Sequence, residues 1–262
     1  MSTRYVQLFA VLLTVPLLLS TSVAHAGGGY DDALTAYYTK DYATALRLYR
    51  ALAAKGDTRA QRDIARMYRK GEGVPKDADE AAKWQKMADE QEDALISYNH
   101  GDFETALRVF RPLADKGQVM AEYILGLMYA NGHGVPESYP EGLKWLTKAA
   151  EQGEAKAQFS VGVIYFKGLG IPKNEAEALK WYKRSADQGY ATAQYNLAAM
   201  YAKGQAVAQD VVTAHVLYSL AAKHGIKAAA AARDRLVKSM TAEQTGRAEQ
   251  MAKDWKPKLE VN

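Results

Sequence analysis

Residues 155–189 read AKAQFSVGVIYFKGLGIPKNEAEALKWYKRSADQG. In the first half Ala157, Val161 and Tyr165 follow one another at intervals of four; in the second, Trp181 and Ala186 follow Ala178 by three and eight. Each set lines one side of a helix, so the stretch predicts two amphipathic helices of about 13 residues each. Between them stands GLGIP. Gly168 follows the last helical residue, where the chain must enter a left-handed conformation that glycine adopts most cheaply. Ile171 then turns inward and Pro172 bars helical continuation through itself. The stretch is a hairpin of antiparallel helices.

The hairpin recurs. At an offset of 36 residues Ala121, Ala157 and Ala193 coincide, as do Tyr129, Tyr165 and Tyr201, Gly132, Gly168 and Gly204, and Gly117, Gly153, Gly189 and Gly225. Trp145 and Trp181 obey the same period, with Leu217 in the third place. A second offset, of 61 residues, carries DALTAYYTKDYATALRLYRALAAKG (32–56) onto DALISYNHGDFETALRVFRPLADKG (93–117), then Gly71, Gly73, Pro75 and Trp84 onto Gly132, Gly134, Pro136 and Trp145. No single hairpin can hide its own apolar side, so such units stack on one another. The recurring Gly-x-Gly is a corner and not a phosphate cradle, which would need a preceding strand and a Lys followed by Ser or Thr.

The pattern A-x-A-Q-x-x-(L/V)-G-x-x-Y-x-x-G-x-G-(V/I)-P, followed by A-L-K-W and A-x-Q-G, resembles the Sel1-like repeat, a relative of the tetratricopeptide repeat, over about Thr58 to Glu92 and Gln118 to Gly225. The resemblance implies an all-α fold, a right-handed superhelical α-solenoid of stacked antiparallel helix hairpins. The expected order is a hairpin at 32–56, a repeat at 57–92, a second hairpin at 93–117, and repeats at 118–153, 154–189 and 190–225, the two hairpins resembling tetratricopeptide-style leading units. Three departures stand out: Gln205, Ala206 and Ala208 at the last corner, Ala65 for a glycine, and Glu92 for another. Residues 226–255 then predict two capping helices, the second opened by Thr241 and Gln244 at capping-box spacing, before a tail at 256–262.

Ahead of the repeats, MSTRYVQLFAVLLTVPLLLSTSVAHA has Arg4, an apolar run from Val6 to Leu19, and the small-x-small pattern Ala24, His25, Ala26. This is the anatomy of a cleaved signal peptide at 1–26, with a short flexible segment at 27–31 after it, and it sends the chain to the periplasm or outside the cell. The apolar run is shorter than the ~20 residues that span a bilayer, and no later segment could span, so no membrane span remains after cleavage. Without cysteine the chain has no disulfide or thiol chemistry. Cleavage removes Arg4 from a formal charge of +4, too weak a balance to argue for nucleic acid.

Catalytic signatures are missing. His100, His133, His215 and His224 are not spaced as metal ligands, no HExxH, Gly-x-Ser-x-Gly or Ser-x-x-Lys occurs, and no cofactor is expected. His100 and His133 fall at predicted turns, as solvated residues. Trp84, Trp145 and Trp181 recur with the repeat, which marks them as packing between hairpins.

What remains is a surface. In 58–70 the face opposite Ala60, Ile64 and Met67 carries Arg59, Arg62, Arg66 and Arg69. The equivalent stripes include Tyr123 and Leu127, then Phe159, Val163 and Phe166, then Tyr195. By resemblance to tetratricopeptide-like solenoids these first helices line the concave side, where a protein or peptide partner docks. Arg and aromatic side chains are the types that dominate binding hot spots. The same rings could instead pack against neighbouring hairpins, and the arginines could simply be solvated, paired in part with Asp57 and Asp63. The expected function is therefore an exported, non-enzymatic scaffold, adaptor or regulator. The alternative is a cell-wall or β-lactam-processing enzyme, a role claimed for cysteine-rich relatives, against which the lack of cysteine counts.

Overall fold

The computed structural model describes residues 29–258; the predicted signal peptide lies outside them. Among the described residues there are thirteen helices and no strand. The architecture is that of an α-solenoid of antiparallel helix hairpins. Packing divides the described residues into two compact units, one ending at Lys148 and one beginning at Ala149.

The first unit holds α1 (Gly29–Tyr38), α2 (Tyr42–Ala54), α3 (Thr58–Lys70), α4 (Ala78–Asn99), α5 (Phe103–Asp115), α6 (Val119–Asn131) and most of α7 (Tyr139–Glu151). Helix α1 begins inside 27–31, so its first residues are helical where a flexible lead was expected. Aspartates start the helices: Asp57 accepts from the backbone N–H groups of Arg59 at 2.9 Å and Ala60 at 3.2 Å, and Asp41, Asp77 and Asp102 cap α2, α4 and α5 in the same manner. Tyr49, Ile64 and Met67 fill the first core, with Tyr68, Val74 and Trp84 packed against it.

Helix α4 departs from the expected boundary. The repeat 57–92 and the hairpin 93–117 were read as separate, yet α4 runs unbroken through 92/93 for 22 residues. The reason is Glu92. Where Gly153, Gly189 and Gly225 adopt φ of 91°, 91° and 88°, Glu92 has a Cβ that favours continued helix, and its carboxylate pairs with Arg62 across on α3. One helix thus closes the first repeat and opens the next hairpin. In the same unit the Met120 N–H donates to the Lys55 carbonyl at 3.2 Å, tying the start of α6 to the end of α2.

The second unit holds the end of α7, then α8 (Ala155–Lys167), α9 (Glu175–Asp187), α10 (Ala191–Lys203), α11 (Val211–Lys223), α12 (Lys227–Val237) and α13 (Ala242–Asp254). Its hairpins are tied by glutamines. Gln158 Nε2 donates to the Ala150 carbonyl at 3.1 Å and Gln194 Nε2 to that of Ala186 at 3.3 Å, while Gln188 donates to Gln158 Oε1 at 2.8 Å. Gln61 and Gln91 make the same contacts in the first unit, to Ala53 and to Gln61. The bonds to Ala150, Ala186 and Ala53 give helix-end carbonyls a second donor beside the N–H of the corner glycine, and the glutamine–glutamine bonds fix the side chains that make them, which fits the recurrence of A-x-A-Q and A-x-Q-G.

Corners close alike in both units. The amides of Asp77, Ser138, Asn174 and Asp210 donate to the carbonyls of Tyr68, Tyr129, Tyr165 and Tyr201 at 2.8–3.0 Å. At the end of the chain Thr241 and Gln244 form the capping box of α13, whose Ala248 packs with Val216 and Leu220 of α11. The segment after α13, expected as a tail, returns to α9: the Lys258 N–H donates to the Asp187 carbonyl at 2.8 Å.

Candidate interaction surface

The arginine stripe exists on α3, and α1 covers half of it. Arg59 holds Asp57 at 2.8 Å and lies 4.2 Å over the Tyr30 ring. Arg66 holds Asp63 at 2.8 Å and lies 4.4 Å over the Tyr37 ring. The Tyr30 hydroxyl donates to Asp63 at 2.6 Å and the Tyr37 hydroxyl to Glu72 at 2.5 Å. Burial and these carboxylate partners push both phenols upward, so they remain hydrogen-bond donors. Arg62 bridges to Asp89 and Glu92 of α4. Arg69 alone reaches out, over a hollow of about 530 Å³ floored by Ala78, Ala81 and Ala82 and edged by Lys86, Asp89, Glu90 and Asp93.

The aromatic continuation of the stripe is corrected by the structure at four positions. Tyr123 and Leu127 of α6 are buried, each 4% exposed, on a helix whose residues are buried on nearly every side. Phe159 and Val163 of α8 are buried as well; the Phe159 ring lies 5.6 Å from Tyr182 and 5.3 Å from Tyr190, the residue that starts α10. These side chains are core and present no docking surface. Phe166 and Tyr195 stay half-buried, Phe166 near Lys173 and Tyr195 5.7 Å from Tyr218.

The tryptophans follow a mixed pattern. Trp145 is buried and Trp84 packs on the first core, whereas Trp181 is half-buried beneath the Arg184 guanidinium at 4.8 Å. His133 differs from its expected solvated state: it stacks on Phe103 at 4.2 Å and 6°, and its Nδ1 lies 3.1 Å from the Tyr98 hydroxyl. Burial lowers the His133 pKa and pushes Tyr98 up to about 12. The signal for this corner was present in the 61-residue offset, which aligns Tyr98, Phe103 and His133 with Tyr37, Tyr42 and Glu72.

Among the described residues no group of three or more His, Cys, Asp or Glu is arranged to hold a metal ion, and no helix is long and apolar enough to cross a membrane.

The Sel1 repeat family model matches residues 33–57, 58–91, 119–154, 155–190 and 191–226. It therefore includes the first hairpin as a repeat and passes over the second, where α4 is fused. The crystal structure of a Sel1 repeat protein from Oxalobacter formigenes is 29% identical, with a TM-score of 0.56, over 86% of this chain and 98% of its own. A protective antigen of uropathogenic Escherichia coli strains, displaying an SLR fold, is 24% identical over 88% of this chain and 62% of its own, with a TM-score of 0.45. No curated protein matches the chain. Sel1 repeat proteins in general mediate protein–protein interaction as non-enzymatic repeat scaffolds. Five repeats covering well over half of the sequence, on a fold whose corners and glutamine ties recur with them, make this chain a member of the Sel1 repeat family.

Proposed function

We propose that the protein is an exported scaffold or adaptor that grips one partner protein or peptide along the first helices of its repeats. The observation that carries this reading is the run of five Sel1 repeats, a family of interaction modules, combined with side chains that point to contact and not to chemistry. Among the expected positions Arg62 and Arg69 on α3 of the first unit keep exposed surface, and in the second unit Phe166 and Tyr195 on α8 and α10 stay half-buried. Arg69 beside the alanine-floored hollow supplies a cation next to apolar ground, and Arg62 can exchange its exposed carboxylate pairs for those of a partner at little cost. The apolar run and Ala-x-Ala pattern at 1–26 support export into the periplasm or beyond.

Two measurements test this. The amino terminus of protein recovered from the periplasmic fraction is expected to begin at Gly27; an intact Met1 in the cytoplasm would overturn export. A photo-crosslinking residue at 69, on the first unit, is expected to capture a partner in intact cells, and one at exposed Glu243 on α13 to capture none. Indistinguishable capture from the two positions would overturn the assigned face.

A further inference from the structure

His215 occupies a position that the repeats leave open elsewhere. The equivalent residues in the preceding second helices are Ala82, Leu143 and Leu179, which are exposed or half-buried. In the last repeat α12 and α13 pack onto α11, and the same position becomes 3% exposed. It is there, beneath the terminal cap, that the chain places a titratable ring in place of an aliphatic one. Its Nδ1 is buried with no hydrogen-bond partner. The charged groups around it are Arg233 and Asp234 from α12 and Glu249 from α13. Val216 and Leu220, which flank it on α11, hold Ala248 of α13, with Val212, Met240, Ala252 and Trp255 packed around them.

We infer that His215 makes the seating of the α12–α13 cap acid-labile, so that mild acid loosens the cap from α11 and bares the apolar face of Val212, Val216 and Leu220. A proton on Nδ1 would put a donor without an acceptor, and a positive charge near Arg233, into a closed space. When the cap lifts, water accepts the hydrogen bond of that N–H and solvates the charge, so the proton stays on the ring. The linkage runs in one direction: burial first, and then Arg233, hold the ring below its ordinary value of 6.5, so the open cap binds more protons than the seated one. Seating is complete above about pH 6.5 and is lost as pH falls below it.

Amide hydrogen exchange on the full chain, corrected for intrinsic rates, reads the opening. Between pH 7.5 and 5.5 the protection of α13 is expected to fall by up to about tenfold, because an open-state imidazole titrating near 6.5 is about nine-tenths protonated at pH 5.5. His215→Leu, which installs the residue of the two preceding repeats, is expected to make that protection independent of pH. His215→Gln serves as a second neutral variant should the first not fold, with the same expectation. His224→Asn, at the exposed end of α11, is expected to leave the response intact. Protection in the unaltered chain that does not change with pH, a response that persists in the neutral variants, or a His215 ring titrating at or above 6.5 by NMR would overturn the inference.

Discussion

At the scale of single residues, two departures from the repeat pattern carry a backbone cost. Ala206 sits at φ 56° where the preceding repeat has Gly170 at 65°, and Lys40 sits at φ 65° where the second hairpin has Gly101 at 83°. An L-residue in that region costs about 1–2 kcal/mol, partly offset by the unfolded-state entropy that a glycine would add. Ala206→Gly and Lys40→Gly are each expected to raise the unfolding free energy by about 0.5–1 kcal/mol in urea titrations. The reverse holds at Gly162, where a Cβ would lie 2.7 Å from the Tyr182 ring. Helix propensity favours Gly162→Ala by about 1 kcal/mol, while overpacking a filled core costs about 1–3 kcal/mol. Packing is expected to win, with a net loss of stability. Ala198 at the equivalent position faces Tyr218, so the helix pair there has found room that α8 and α9 have not. The glycine was legible as a motif residue, but its reason, a close helix approach, was not, because nothing local to Gly162 names Tyr182 as its neighbour.

At the scale of elements, α4 decides how the first unit is built. Glu92→Gly is expected to cost about 1 kcal/mol for glycine in a helix interior, with up to about 1 kcal/mol more from the half-exposed pair with Arg62. Faster amide exchange confined to the middle of α4 would mark a helix that has regained its hinge; unchanged exchange there would show that packing alone holds it straight. The helix starts are simpler. Asp57→Ala removes a cap and the Arg59 pair together, for an expected loss of about 1–2 kcal/mol in urea. Helix existence and the glycine corners were readable from period and composition. The fusion was visible only as a missing glycine, and the folding of α1 over the arginine stripe was not visible at all, since it depends on Tyr30 and Tyr37 meeting a helix more than twenty residues away.

At the scale of the whole molecule, acid is the expected weak point. Burial lowers the pKa of both His133 and His215, so the unfolded chain binds more protons and stability falls as pH drops below about 6.5. From pH 7.5 to 5.5 the loss is up to about 1.4 kcal/mol for the enclosed His215 and less for half-exposed His133, where water screens the charge. Urea midpoints at the two pH values check it; a midpoint that rises on acidification would contradict the burial of both rings. The amino-acid sequence by itself determined that this chain is a run of helix hairpins. A 36-residue recurrence of apolar stripes, corner glycines and a helix-stopping proline is a local code, written within each unit and read without knowing its neighbours. Tertiary structure decided which side chains stay exposed. Tyr123 and Phe159 have the same periodicity and chemistry as residues of a binding face, and they are core because α6 is buried on nearly every side and the Tyr190 ring packs against that of Phe159. Exposure is a property of what lies opposite, and what lies opposite is set by contacts between elements far apart in the chain.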